Sequence, residues 1–143
     1  METIMREPYQ IGEYGPHLLV AMNTYKLLET RSSLFAFLGG FIINILFNQV
    51  LKQWIKQERP IPIKDSYGMP SLHAQSVSFA TVYLYCVTGS NFYLLLEGAF
   101  SLITLYQRWK TRKHTPEQLA VGSVIGSIMG YGIYKSTQTY NII

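Results

Sequence analysis

The chain has 143 residues, 48% of them apolar and 14% charged, with a net charge of +4 and one cysteine. That length fits a single domain, and the charged fraction lies below the roughly 25% of ordinary soluble domains. A lone cysteine excludes an intramolecular disulfide, and the basic residues bunch at 52–64 and 108–113 beside apolar runs, a distribution that argues against nucleic acid as a partner.

The first sixteen residues hold Glu2, Arg6, Glu7, Pro8, Glu13 and Pro16 and no apolar stretch, so no signal peptide is read there. Residues 17–30 read as a short N-terminal helix, interfacial or partly inserted in a bilayer. The uncharged run 33–51, written from Ser32, has the length of a membrane span. A loop at 52–74 follows, then a second apolar run at 75–89 that contains Cys86, read as a small core residue. Gly89-Ser90-Asn91 marks a tight turn. A third run, 92–107, carries Glu97, whose acid within an apolar run would face protein or a water cavity. After a loop at 108–116 comes a fourth run, 117–134, with Gly122, Gly126 and Gly130 as a small-residue stripe for close helix packing. The second and third runs are short for full spans and would tilt or extend into their flanks.

The expected fold is all-α: an integral-membrane bundle of four to five helices, organised as a segment 1–31, a helical core 32–134 and a tail 135–143. Two runs separate the loops 52–74 and 108–116, an out-and-back pair. Both loops therefore emerge on one membrane face, where a shared site would form.

Three motifs carry chemistry. In Lys52-Gln-Trp-Ile-Lys-Gln-Glu-Arg59-Pro60, Lys52, Lys56 and Arg59 fall on one helical face, and Pro60 ends the helix near Arg59. Such cations clamp phosphate, or else form a juxtamembrane basic stripe. In Met69-Pro70-Ser71-Leu72-His73, Ser71 is a plausible N-cap, and the helix start suits an anion with His73 beside it as general acid. The alternative is an ordinary capped helix. In Arg108-Trp-Lys-Thr-Arg-Lys-His114-Thr-Pro-Glu-Gln118, Thr115 and Gln118 read as a capping box with Pro116 at the first helical position. His114 immediately before it reads as a nucleophile, or as part of a basic interfacial loop.

Together the patterns Lys-x6-Arg-Pro, Pro-Ser-x-His and Arg-x5-His resemble the signature of the type 2 phosphatidic acid phosphatase superfamily, over roughly residues 50–120. The resemblance implies that His114 attacks phosphorus, His73 protonates the departing oxygen, and Lys52, Arg59, Arg108 and Ser71 hold the phosphoryl oxygens. Gln118 stands where that family has Asp. Together with Tyr67-Gly68-Met69-Pro70-Ser71, it is similar to the dolichyl diphosphatase branch. Gln118 would either accept a hydrogen bond from His114 and orient it, which the resemblance favours, or serve the capping box alone.

The implied substrate is a polyprenyl diphosphate in a lipid bilayer, with phosphatidate or another lipid monophosphate as the next choice. No metal or other cofactor is implied, because side chains supply the positive charge, and His17 receives no role. A vanadate-dependent peroxidase uses a similar anion cradle, but the apolar runs oppose it. A catalytically silent lipid-phosphate binder is the reading from another class, and it would not need both histidines. The positive-inside rule places the basic loops in the cytoplasm. The resemblance implies instead the lumenal face of the endoplasmic reticulum membrane, for a eukaryotic chain or host.

Overall fold

The structure, a computed structural model, describes residues 8–139. A 3-10 helix, Pro8–Tyr14, leads into α1, Gly15–Leu27, and α2, Arg31–Ile55. A hairpin of β1, Glu58–Ile63, and β2, Ser66–Tyr67, is followed by α3, Leu72–Thr88, α4, Asn91–Lys110, and α5, Pro116–Thr139. The all-α bundle stands, with this short antiparallel ribbon added. The end of the expected tail, 140–143, lies outside the described residues, while 135–139 continue α5.

The helix boundaries follow from local chemistry. Ser71 Oγ accepts from Ala74 N at 3.2 Å and caps α3. Gly89 ends α3 in the left-handed region, φ 62°, and Ser90 Oγ accepts from Tyr93 N to start α4. At α5 the capping box closes as expected: Gln118 N donates to Thr115 Oγ1 at 3.2 Å, and Thr115 N donates to Gln118 Oε1 at 3.0 Å. Such reciprocal bonds satisfy donors that a helix start leaves orphaned.

α3 is the central helix. α5 lies against it through the glycine stripe: a Cβ at Gly122 would sit 2.6 Å from the Ser71 carbonyl, and one at Gly130 2.8 Å from that of Phe79. One end of the core is apolar, with Leu19, Phe37, Phe79, Tyr83 and Leu84 fully buried. Toward the loops it turns polar. Gln75 accepts from Asn48 Nδ2 at 2.9 Å and donates to Asn44 Oδ1 at 2.9 Å.

α2 shows why this polarity holds. Its inward face reads Ser33, Phe37, Gly40, Asn44, Asn48 and Lys52. Its outward face exposes Phe35, Ile42, Ile43, Leu46, Phe47 and Val50 by 42–67%. Apolar outside and partly polar inside reverses the soluble pattern and matches a lipid-facing helix. Among the described residues, α2 is the helix long and apolar enough to cross a membrane. α3, at 17 residues, is short for a span.

Two expectations are corrected. α2 ends at Ile55, with Lys56 left-handed at φ 51°, rather than near Arg59. Pro60 and Pro62 exclude helix from this stretch and leave it extended, so Arg59 reaches the site from β1. Lys56 is exposed and does not share the face of Lys52 and Arg59. The N-terminal helix packs one face on the bundle: Leu19, Asn23 and Leu27 are buried, and Asn23 Nδ2 donates to the Ala80 carbonyl at 2.9 Å.

Candidate active site

The chain ends of four elements converge above the polar end of the core. Lys52 comes from the last turn of α2, Arg59 from β1, His73 from the first turn of α3 and Arg108 from the last turn of α4. His114 sits in the turn before α5. All five line one cavity of about 210 Å³, so the two distant basic loops do meet.

The three cations are arranged for an anion. Lys52 and Arg108 are only 7% and 8% exposed. Lys52 Nζ donates to the Tyr67 carbonyl at 2.8 Å, which anchors it but leaves two of its protons. Arg59 Nε donates to Ser66 Oγ at 3.1 Å and its Nη1 to the Lys113 carbonyl at 3.1 Å. Arg108 Nε is buried with no hydrogen-bond partner among the described residues. A buried guanidinium nitrogen without a partner is costly unless a ligand in the cavity meets it.

His114 is 2% exposed, and its tautomer is set by geometry. Nδ1 lies 3.0 Å from the Gly68 carbonyl, which only accepts, so Nδ1 carries the proton. Nε2 then holds a lone pair, met by Arg59 Nη1 at 3.3 Å. Burial first, then the charges of Arg59, Arg108 and Lys52, hold the His114 pKa down to about 3, against the upward pull of the Gly68 carbonyl. The imidazole is neutral and nucleophilic at physiological pH.

This depression has a measurable consequence. An unfolded histidine titrates near about 6.5, so between that pH and about 3 the unfolded chain binds a proton that the folded one refuses. The stability contributed by neutral His114 is therefore full above about pH 6.5 and is lost as the pH falls. In thermal unfolding from about pH 6.5 to about pH 4.5, His114→Gln is expected to lose less stability than the parent. Equal slopes would contradict a neutral His114.

His73 Nε2 lies 3.0 Å from the Glu13 carbonyl and is its donor, by the same argument. Ser71, expected in the cradle, is fully buried and does not line the cavity; its oxygen accepts the bond that caps α3. Gln118 does not reach His114. Its Oε1 takes the capping-box bond, and its Nε2 donates to Gln57 Oε1 at 2.7 Å and to the Glu58 carbonyl at 2.9 Å. The amide donors need acceptors, and the start of β1 supplies them. Gln118 instead backs the His114 partner: a Cβ at Gly68 would fall 2.5 Å from its Oε1.

The acceptors that the sequence does not mark are backbone carbonyls, of Glu13, Tyr67, Gly68 and Lys113. Carbonyls carry no residue signature. Gly68 alone left a trace, a glycine placed where Gln118 allows no side chain.

The fold is that of a transmembrane type 2 phosphatidic acid phosphatase. The crystal structure of the PAP2-type phosphatidylglycerolphosphate phosphatase from Bacillus subtilis superposes with a TM-score of 0.71, covering 95% of this chain and 80% of that one at 17% identity. Sequence relatives carry the same resemblance. Lipid phosphate phosphatase epsilon 2 of Arabidopsis thaliana is 34% identical over 111 residues, and the dolichyldiphosphatase of Saccharomyces cerevisiae is 30% identical over 121, each match covering 71% of this chain. Dolichyldiphosphatase 1 of Mus musculus is 26% identical over an alignment covering 95% of the chain. The chain spans 38%, 50% and 71% of these three proteins in turn. No family model matches the sequence.

Proposed function

We propose that the chain is a membrane-bound lipid phosphatase that converts a polyprenyl diphosphate to its monophosphate through a phosphohistidine at His114. The observation that carries this reading is the unprotonated Nε2 of His114 in a cavity walled by Lys52, Arg59 and Arg108. A terminal phosphoryl group entering that cavity meets the lone pair in line and takes over the Arg59 donor. As the N–P bond forms, the bridging P–O bond breaks and the departing oxygen takes a proton from the His73 imidazolium. Burial and then the Arg108 charge hold the His73 pKa down to about 4 in the empty cavity. The negative charge of the entering phosphoryl group opposes both and lets His73 hold the proton it donates. Water then attacks phosphorus, gives its proton to His73 and releases phosphate. Catalysis rests on positioning and charge stabilisation by the three cations.

A second cavity supports a lipid substrate. A groove of about 410 Å³ runs between α1, α2 and α3 past Val20, Phe41 and Ile45. It shares Leu72 and His73 with the anion cavity. An apolar tail in the groove would leave its diphosphate beside His114. The dolichyldiphosphatase relatives favour a polyprenyl tail and, with it, the endoplasmic reticulum membrane.

The test is phosphate release by the purified chain in detergent with a chelator present. A polyprenyl diphosphate is expected to release phosphate, with orthovanadate inhibiting. Faster turnover of phosphatidate would move the substrate class to monophosphates. No release from either, with vanadate still bound, would favour a silent binder.

A further inference from the structure

The 3-10 helix before α1 reaches the site through the Glu13 carbonyl, and its packing fixes where that oxygen lies. It is seated on α4 through its own Gly12 and through Gly15, the first residue of α1. A Cβ at Gly12 would stand 2.7 Å from the Ile103 carbonyl and 2.9 Å from Thr104 Cα, and one at Gly15 would fall on Thr104 Oγ1. Thr104 is itself fully buried and bonded to the Phe100 carbonyl at 2.9 Å, so it has no room to yield. Between the two glycines stands Glu13, whose carbonyl receives His73 Nε2 across 60 residues of sequence.

We propose that this segment is a positioning element of the catalytic site: Gly12 and Gly15 seat it on α4 so that the Glu13 carbonyl accepts the Nε2 proton of His73, leaving Nδ1 to exchange the proton with the leaving oxygen. The inference rests on the reading of His73 as the acid. A carbonyl has no proton to give, so the bond admits one neutral tautomer. It also parallels the bond between His114 and Gly68. Each imidazole of the site is thus oriented by a neutral backbone oxygen and not by a carboxylate.

Two measurements test it. Nitrogen-15 histidine NMR of the full chain in detergent, with His73 assigned through His73→Gln, should show the Nε2–H tautomer; an Nδ1–H signal overturns the inference with no variant needed. In kinetics, Gly15→Ala should lower kcat on an alkyl phosphate, whose leaving oxygen needs a proton, by about 10-fold or more. It should spare KM and change p-nitrophenyl phosphate, whose leaving group needs none, by less than about 3-fold. Adding Thr104→Ala, which removes the obstructing hydroxyl, should restore the alkyl phosphate rate. Equal losses on both substrates, or an unchanged tautomer in Gly15→Ala, overturn the positioning role alone. A parent protein inactive on both substrates sinks the phosphatase reading instead, and the positioning role falls with it.

Discussion

His114→Ala is expected to lower phosphate release by at least about 10⁴-fold, because it removes the atom on which the covalent intermediate forms. No other imidazole replaces it. His73 is held by Glu13, and His17 lines the apolar groove rather than the anion cavity. The variant leaves the Gly68 carbonyl without its donor, at a cost of about 1–3 kcal/mol, so folding is checked by thermal unfolding alongside the rate. Added imidazole, which fits the vacated space, should restore part of the activity. Near-parental turnover in His114→Ala would remove the phosphohistidine from the account.

Arg108→Met should move stability and activity in opposite directions. The guanidinium is 8% exposed, its Nε has no partner among the described residues, and it shares a cavity with Lys52 and Arg59. A buried charge beside like charges, which Glu13 offsets only in part, costs more than a packed apolar side chain of similar length. The empty protein should therefore gain about 1–3 kcal/mol in thermal unfolding. The rate should fall by about 10²–10³-fold, the usual loss on removing one preorganised donor to transition-state charge. Arg108→Lys should recover only part of it, since an ammonium lacks the planar fork. A variant that is both less stable and fully active would show that Arg108 is structural.

The bundle and the meeting of the two loops were legible because they rest on strong signals. The apolar runs, the Gly89-Ser90 turn, the Ser71 cap and the Thr115–Gln118 box are properties of contiguous residues, and each formed where the sequence placed it. At Arg59 local spacing misleads. Seven-residue spacing from Lys52 looked helical, yet Lys56 turns left-handed and the prolines hold β1 extended, so the same side chain arrives from a strand. For Gln118 the resemblance favours orientation of His114, as a carboxylate would provide, over the capping box, and it is the box that forms. An amide carries donors of its own, and these were claimed by Gln57 and Glu58. What the sequence could not display at all were the carbonyls of Gly68 and Glu13, which every residue possesses and only the fold can aim.

The central claim is the covalent intermediate, and it can be trapped directly. Rapid acid-free denaturation of the parent protein during turnover of a diphosphate labelled in its terminal phosphate should leave label on the protein. The bond should be acid-labile and stable to base, and peptide mapping should place it on His114. Turnover with no label on the protein, or label on any residue other than His114, would contradict the account.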